Sequence, residues 1–440
     1  MRIDRLRVKN FRCFEHQDFS FHPSFNVLIG DNATGKTAVL KALRIAAASW
    51  FLGIKDPKTI HIRPDDVRIE GHAYEAGEYD FQEQWPVDVT AVGTFEADGG
   101  RFQEEQIKWS RFLKGPNGRT TRKEASAIKE RAEEADRRVR GGEGVVLPLI
   151  AYYGTSRLYL EPRQTQQRTE EPGKRERSRF VGYQDAVDKR LDTQALTRWI
   201  KRQSWMAWQE GGASTLYRLV SRAITHMVEE ATAIQYDPNR EEVVITLHNQ
   251  VVPFDYLSDG QRTTLTLVGD LAIRAARLNP HLGESALQNT PGVVLIDELD
   301  MHLHPSWQRH IIRDLQQVFP RVQFITTTHS PQIISEMEKG WVLSLERGDD
   351  GIEVRKVESY GLDSNWVLQH IMGVSARPDE IAHRLRKAEQ ALARKDYAQA
   401  RALVKEVRQK ATRTSGDVTR LQSKIDTLEM LSSDAADSKE

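Results

Sequence analysis

The 440-residue chain has little of three features that would place it in a common class of protein. It has a single cysteine, Cys13, which excludes a disulfide framework and a metal site built from cysteine thiolates. It has no apolar run of membrane-spanning length and no secretory leader, so we expect a cytoplasmic protein without membrane partners. Lysine plus arginine and aspartate plus glutamate number 63 each, so no net charge points to nucleic acid.

A phosphate-binding loop is present near the N-terminus. Residues 30–37 read Gly-Asp-Asn-Ala-Thr-Gly-Lys-Thr and follow an apolar strand predicted at 26–29. Lys36 would contact the β- and γ-phosphates and the Thr37 hydroxyl would ligate Mg²⁺, while the following helix directs its positive N-terminus at the anion. The pattern therefore predicts that ATP and Mg²⁺ bind to the loop residues Gly30, Asp31, Asn32, Ala33, Thr34, Gly35, Lys36 and Thr37.

A second motif of phosphate chemistry lies at 292–298, where a continuous apolar strand ends in two carboxylates. An apolar strand of this kind belongs in the middle of a covered parallel sheet, and its carboxyl end is where such sheets bind ligands. We expect Asp297 to hold Mg²⁺ through water. Glu298 is the candidate catalytic residue, because in-line attack on the γ-phosphate needs a group that orients or deprotonates the water.

Two further motifs distinguish this chain among proteins that have a phosphate-binding loop. Leu257–Arg262 precedes a long helix, and its Ser258, Gly260 and Gln261 form a second predicted anion site. Because one chain needs a single cradle for one γ-phosphate, the second site predicts a homodimer or higher homo-oligomer in which it serves a partner's nucleotide. A strand at 322–330 brings His329 to its end, where the imidazole would sense the γ-phosphate.

The order of these motifs resembles that of the ATP-binding-cassette heads of the RecF/SMC/OLD superfamily. The opening at 9–14 and Leu303-His304-Pro305 add to the resemblance, which covers nearly all of residues 1–345. It implies an α/β fold, namely a mixed sheet with a P-loop core and an antiparallel lobe, and ATP hydrolysis between two heads. Ala33 and Asp259 replace glycines that are common at these places, as they do in soluble branches of the group.

The resemblance does not identify the residue of the glutamine loop. Gln82 and Gln84 lie in no clear strand-to-loop context, and Asp66 is an equally good candidate.

We expect four regions along the chain. Residues 1–160 form an N-terminal ATPase lobe with a charged insertion at about 108–140, and 161–240 a mobile loop followed by a helical insertion. Residues 241–378 form a second ATPase lobe, and 379–440 a helical tail. Lys108 to Arg140 hold eleven Lys/Arg against five Asp/Glu, which fits a solvated insertion slightly better than a nucleic-acid surface. The tryptophans of the helical insertion are interpreted as core anchors and are Trp199, Trp205 and Trp208.

Residues 360–378 and the helical tail resemble the end of PtuA-type ATPases, the ATPase subunits of Septu antiphage systems that also occur beside retrons. The resemblance implies a separate HNH nuclease subunit of PtuB type that the ATPase subunit controls. We expect the tail to recruit this subunit, because Leu421, Ile425 and Leu428 follow the apolar spacing of a docking helix. We find no acidic cluster or His-Asn-His pattern for a nuclease in the chain itself. Two alternatives stay open: a RecF-type DNA-repair clamp without a nuclease partner, and a nucleotide-sensing scaffold. DNA remains a candidate partner.

Overall fold

The computed structural model describes residues 1–55, 57–73, 79–95, 104–155, 178–187, 191–229, 231–349, 351–410 and 416–437. The chain forms two compact units, Met1–Ser364 and Asn365–Glu440. The mobile loop predicted at the start of the region 161–240 falls almost entirely outside the described residues, and the predicted boundaries at 160, 240 and 378 stay predictions. None of the helices in the described ranges combines the length and apolar character needed to cross a membrane.

The strands of the first unit are β1 (Arg2–Phe11), β2 (Phe14–Ser20), β3 (Phe25–Gly30), β4 (Arg68–Ala73), β5 (Tyr79–Gln84), β6 (Val87–Phe95), β7 (Glu105–Leu113), β8 (Leu149–Tyr153), β9 (Ala231–Asp237), β10 (Glu242–Leu247), β11 (Gln250–Pro253), β12 (Gly292–Ile296), β13 (Val322–Thr327), β14 (Trp341–Gly348) and β15 (Gly351–Val357). The helices of the chain are α1 (Lys36–Ala47), α2 (Ser126–Arg140), α3 (Thr193–Glu210), α4 (Thr215–His226), α5 (Asp259–Leu278), α6 (Ala286–Asn289), α7 (Pro305–Gln308), α8 (Ile311–Val318), α9 (Pro331–Ser335), α10 (Ser364–Trp366), α11 (Asp379–Ala393), α12 (Tyr397–Lys410) and α13 (Gly416–Asp437).

A six-stranded sheet in the order β15-β14-β3-β13-β12-β8 forms the centre of the first unit. Its inner strands pair in parallel, and β15 alone runs antiparallel to its neighbour. Strands β8, β12 and β13 are buried along their whole length. Strand β12 is apolar on both faces, as the sequence predicts for a covered sheet, whereas β13 also buries the polar residues Gln323, Thr326 and Thr327. Since parallel strands end at one edge, the phosphate loop after β3 and the carboxylates after β12 meet there. The predicted mixed sheet with a P-loop core is confirmed.

A four-stranded antiparallel sheet, β2-β1-β6-β7, is the predicted antiparallel lobe. Helix α1 contacts β12 and β13 of the central sheet and β1, β6 and β7 of this one, so it lies between the two sheets. Trp109 of β7 fixes that packing, since its indole N–H donates to the carbonyl of Ala46 at 3.0 Å. The charged segment predicted to start at Lys108 therefore begins inside a sheet, where Ile107, Trp109 and Arg111 face inward.

The region predicted as a helical insertion contains helices α3 and α4 but also strand β9, which joins β10 and β11 in a three-stranded sheet. Strands β10 and β11 form a hairpin whose turn residues, His248 and Asn249, both have positive φ, as a tight turn of this kind requires. The expectation that the tryptophans are core anchors is wrong for two of them. Trp205 is 44% and Trp208 77% exposed, because the buried face of α3 is built from Leu196 and Ile200.

The second unit contains the predicted tail, whose three helices are α11, α12 and α13. The three helices together supply one apolar core made of Ala388, Ala391, Leu392, Ala400, Val404, Val407, Val418 and Ile425. Residues at i, i+3 and i+4 lie on one face of a helix, so apolar residues at this spacing give each tail helix one apolar face, and these faces pack against one another. The tail thus has its own core.

Candidate active site

The phosphate loop leaves the buried strand β3 at Gly30 and enters α1 at Lys36. Gly35, at the start of α1, has φ 94° and ψ 10°, a left-handed conformation that favours glycine. A Cβ atom there would lie 2.5 Å from the Phe14 ring, so packing excludes a side chain as well. The Thr34 hydroxyl donates to the Asp31 carbonyl at 2.9 Å. These contacts hold the loop curled in front of the helix N-terminus.

Lys36 folds back over the loop, with its Nζ donating to the carbonyls of Gly30 at 2.7 Å and Asp31 at 2.8 Å. Its side chain is nearly buried. Burial lowers the pKa of Lys36, and the carboxylates of Asp31, Asp297 and Glu298 partly offset this effect. The loop therefore holds an ammonium in a partly desolvated position, where it interacts more strongly with a phosphate than it would in water.

Asp297 follows β12 and is 2% exposed. Its Oδ1 accepts hydrogen bonds from the Thr327 hydroxyl at 2.7 Å and the Thr37 hydroxyl at 3.3 Å. The structure thus brings the two predicted Mg²⁺ ligands, Thr37 and Asp297, together from opposite ends of the sequence. A hydroxyl and a carboxylate next to a phosphate loop form an oxygen donor set that suits Mg²⁺.

Glu298 has a left-handed backbone, with φ 53°. Its N–H donates to the Thr327 hydroxyl at 2.7 Å, and the next amide, Leu299 N–H, donates to the Thr327 carbonyl at 2.8 Å. A non-glycine residue in this conformation costs about 1 kcal/mol or more and persists where neighbouring contacts fix it. This left-handed conformation turns the chain sharply after β12 and places Glu298 among the residues that line the cavity described next.

A cavity of about 330 Å³ opens in front of the phosphate loop. It joins the phosphate loop, both carboxylates and the predicted γ-phosphate sensor, and its lining residues are Arg12, Cys13, Asn32, Ala33, Gly35, Lys36, Thr37, Ala38, Asp297, Glu298, Thr327 and His329. Such a volume lies at the lower end of the range typical of small-molecule sites, roughly 300–1,000 Å³. Motifs from three parts of the chain therefore share one cavity.

Arg12 also lines this cavity, a role that was not predicted for it. Its guanidinium donates to Asp66 at 2.9 Å and to Asp65 at 3.0 Å. These contacts concern the unidentified residue of the glutamine loop, because Asp66 is one candidate for it. Asp66 accepts a hydrogen bond from Arg12, which lines the cavity. Gln82 and Gln84 belong to β5, and neither is among the lining residues.

The predicted second anion site lies at the start of α5. Ser258 is its N-cap: the Ser258 hydroxyl accepts from the Gln261 N–H, and the Gln261 side chain accepts from the Ser258 N–H. A Cβ on Gly260 would lie 2.0 Å from the His302 carbonyl oxygen, so α5 packs closely against the loop that follows the carboxylate pair. Ser258, Gly260 and Gln261 do not line the 330 Å³ cavity.

Asp300 is a site residue that sequence reasoning missed. Its Oδ1 accepts from the Thr328 hydroxyl at 2.5 Å and from the backbone N–H of His329 at 3.3 Å. It therefore ties the end of β13 to the loop after β12 and fixes the backbone that carries the His329 imidazole. The nearby His304 caps α7 by accepting from the Ser306 N–H at 3.3 Å, which is a structural role.

Comparisons with known proteins agree with this geometry. Two family models match, an "AAA domain" over residues 5–206 and an "AAA domain, putative AbiEii toxin, Type IV TA system" over 161–335. The chain is 39% identical over 139 residues to "Retron Ec83 probable ATPase" of Escherichia coli, a match that covers 32% of this chain and 25% of that protein. It is 30% identical over 134 residues to "Septu protein PtuA" of Bacillus thuringiensis, covering 30% of this chain and 34% of that protein.

A third relative is "DNA replication and repair protein RecF" of Halalkalibacterium halodurans, which is 42% identical over 72 residues, or 16% of this chain and 19% of that protein. The matches thus span about a third or less of each of these relatives. The predicted resemblance to ATPases of the RecF/SMC/OLD type, with PtuA among the relatives, is confirmed.

Proposed function

We propose that this chain binds ATP with Mg²⁺, hydrolyses the ATP, and serves as the ATPase subunit of an antiphage defence complex that controls a separate HNH nuclease of PtuB type. The observation that carries the first part is the shared cavity, in which Lys36, Thr37, Asp297 and Glu298 lie together. The matches to retron and Septu ATPases support the second part.

The residues of the cavity fit a nucleoside triphosphate with its metal. The curled loop and the N-terminus of α1 present backbone N–H groups to phosphates, and the Lys36 ammonium adds the charge. Thr37 and Asp297 would hold Mg²⁺, which would neutralise negative charge on the phosphates. Binding would replace the bonds that Lys36 makes to its own loop carbonyls.

Glu298 is the proposed catalytic residue, because its carboxylate would orient the attacking water and accept its proton. Thr327 positions it by holding the Glu298 N–H and the Asp297 carboxylate through one hydroxyl. His329 lines the same cavity, where its imidazole would hydrogen-bond the γ-phosphate. Asp300 positions His329 through the backbone N–H.

Ser258, Gly260 and Gln261 lie outside the cavity of their own chain, which supports the proposal that they complete a partner's site. Two heads would then enclose two ATP molecules in a homodimer or a higher homo-oligomer. The N-terminus of α5 carries the positive end of the helix dipole, which favours a γ-phosphate.

The ATPase assignment is tested with two variants that separate binding from hydrolysis. Lys36→Ala removes the phosphate-binding charge and should abolish ATP binding, measured by calorimetry. Glu298→Gln keeps size and hydrogen bonding but cannot accept a proton, so ATP should bind while phosphate release falls by about 10²-fold or more. Lys339→Ala and Glu338→Gln, which change the same residue types outside the cavity, should behave as wild type. Wild-type ATP turnover in Glu298→Gln would refute the catalytic role of Glu298. Normal ATP affinity in Lys36→Ala would refute the role of the phosphate loop in ATP binding.

Recruitment of the nuclease is proposed to use the helical tail. The predicted docking stripe of Leu421, Ile425 and Leu428 is wrong for Ile425, which is fully buried in the tail core and is not available to a partner. Leu421 and Leu428 instead line a groove of about 490 Å³ beside Leu392. The same groove is lined by the charged residues Glu389, Asp417, Arg420 and Lys424, and this combination of leucines and charges between helices fits the insertion of an amphipathic partner helix.

The docking proposal is tested in the full chain by replacing Leu421 and Leu428 with glutamate. This double variant should lose co-purification with an HNH subunit and lose phage protection, while ATP binding stays normal. Ser423→Glu, on an exposed turn of the same helix, is the matched control. Retained pull-down by the double variant would place the interface elsewhere. The alternative function, a RecF-type repair clamp, predicts instead that no nuclease co-purifies and that phage protection is absent.

A further inference from the structure

The backbone of Asp297, the proposed metal ligand, is held by a strand at the outside of the central sheet. The Asp297 N–H donates to the Tyr153 carbonyl at 2.8 Å. The next amide, Glu298 N–H, instead donates to Thr327 on the other side of β12. Tyr153 is the last residue of β8, which stands at the end of the strand order β15-β14-β3-β13-β12-β8. Because an outer strand has a sheet neighbour on one side, the position of the Asp297 backbone depends on what else holds Tyr153.

Helix α5 holds the side chain of Tyr153. This side chain is buried, and its hydroxyl donates to Oδ2 of Asp270 at 2.7 Å. Burial, together with the neighbouring Asp270 carboxylate, raises the pKa of Tyr153, so the hydroxyl keeps its proton and stays a donor. Hydrogen bonds to a carboxylate are among the strong ones in proteins. A side chain of α5 thus fixes the end of β8.

Arg274, one turn further along α5, holds Asp270 in place. The Arg274 Nε donates to the same Oδ2 at 2.7 Å, and its Nη1 donates to the carbonyls of Gly182 at 3.1 Å and Gln184 at 2.7 Å. Gly182 lies against the helix, since a Cβ atom there would be 2.6 Å from Cγ of Leu278. Arg274 therefore joins Asp270 to a segment packed on α5 and supplies the positive charge that a half-buried carboxylate needs.

We propose that Asp270 is a positioning residue for the Mg²⁺ site, which it aligns through the Tyr153 hydroxyl and the bond from the Tyr153 carbonyl to Asp297. This inference rests on the proposed function, because it assumes that Thr37 and Asp297 hold Mg²⁺. Since Mg²⁺ requires near-ideal octahedral geometry, a small displacement of Asp297 would weaken metal binding. Asp270 lies on the helix that begins at the Ser258 anion site, so one helix would serve the metal of its own chain and the γ-phosphate of a partner.

The test compares Tyr153→Phe with Tyr183→Phe, each of which removes one hydroxyl from a buried tyrosine. The Tyr183 hydroxyl donates to the Pro148 carbonyl at 2.8 Å and accepts from the Trp50 indole at 3.2 Å, so its loss breaks bonds away from the metal site. Calorimetry measures ATP binding with Mg²⁺ and with EDTA, and ATP turnover is followed against Mg²⁺ concentration. Tyr153→Phe should raise the Mg²⁺ concentration for half-maximal turnover about tenfold. The gain in ATP affinity that Mg²⁺ provides should shrink by a similar factor. Tyr183→Phe should leave both values as in wild type.

Two replacements of Asp270 separate positioning from a merely structural role. Asp270→Asn keeps a side-chain oxygen that can accept from the Tyr153 hydroxyl, so its Mg²⁺ requirement should stay close to that of wild type. Asp270→Ala removes the acceptor and should shift the Mg²⁺ requirement as far as Tyr153→Phe does. The double variant Asp270→Ala, Tyr153→Phe should shift it no further, because both changes remove the same hydrogen bond.

An unchanged Mg²⁺ requirement in Tyr153→Phe would overturn the proposal, as would an equal shift in Tyr183→Phe. Additive shifts in the double variant would show that Asp270 acts by another route and would also overturn it. Phenylalanine keeps the aromatic ring in its packing, so Tyr153→Phe should stay folded in urea denaturation. If ATP binding by the wild-type chain did not depend on Mg²⁺, the proposed metal site itself would be refuted. A wild-type chain that needs Mg²⁺, together with a Tyr153→Phe chain that needs no more of it, would overturn this inference alone.

Discussion

Replacing Thr327 with valine should damage the site more than its small chemical change suggests. The Thr327 side chain is 1% exposed, and its hydroxyl donates to Asp297 at 2.7 Å while accepting from the Glu298 N–H at 2.7 Å. Valine has nearly the same shape but makes neither bond. The substitution therefore leaves a buried carboxylate with one donor fewer and a backbone amide without its acceptor.

The expected loss follows from these two bonds. A hydrogen bond to a charged group contributes about 1.5–3 kcal/mol, and an amide left unpaired in the interior costs about 1–3 kcal/mol. The methyl group that replaces the hydroxyl recovers about 1 kcal/mol of hydrophobic burial. We expect the free energy of unfolding of the first unit to fall by about 2–4 kcal/mol, with non-additivity between the two bonds setting the range.

The neighbouring residue provides a matched control. Thr326 is also fully buried in β13, but its hydroxyl makes one long bond, to the Asn26 carbonyl at 3.4 Å. Thr326→Val should therefore cost less than about 1 kcal/mol, measured by equilibrium urea denaturation. ATP turnover should fall in Thr327→Val and persist in Thr326→Val. Equal destabilisation by the two substitutions, or a loss below about 0.5 kcal/mol at Thr327, would refute the positioning role.

Two further substitutions test the loops around the cavity. Ala33 has φ 65°, a conformation that glycine adopts without strain, so Ala33→Gly should raise the free energy of unfolding by up to about 1 kcal/mol in thermal or urea denaturation. Ala38→Gly, inside helix α1, should lower it by about 0.5–1 kcal/mol, and the same sign for both would contradict the backbone assignment. Gly260→Ala places a methyl group against the His302 carbonyl and should reduce ATP turnover while calorimetric ATP binding stays normal. Unchanged turnover would show that the contact between α5 and that loop is not needed.

The sequence predicts the central sheet well because its signals are local. Strand β12 is a continuous apolar run, and β3 and β13 are mostly apolar; strands of this composition are typical of the middle of a covered sheet. Because parallel strands end at the same edge of a sheet, the residues that follow these strands lie close together. The phosphate loop and the carboxylate pair could be placed in one cavity for this reason.

The missed residues depend on contacts between distant segments. Thr327, Arg12 and Asp300 act through hydrogen bonds to partners that the fold brings close, and none has a distinctive local pattern. The polar end of a buried strand did offer a signal for Thr327, since polar residues at carboxyl ends of parallel strands often face the ligand. Helical spacing alone could not tell that Ile425 is buried and Leu428 is exposed, because the packing partner decides which part of a stripe is covered.

The central claim is that ATP is hydrolysed at a site shared by two heads, and mixing two inactive variants tests it most directly. Lys36→Ala removes the phosphate loop's charge, and Ser258→Arg blocks the anion site at the start of α5. In a mixed dimer the two substitutions fall in one composite site and leave the other intact. We predict that the mixture recovers steady-state ATP hydrolysis, with up to about a quarter of wild-type activity for random pairing of equal amounts. Phosphate release from the mixture that never exceeds that of either variant alone would contradict the shared site.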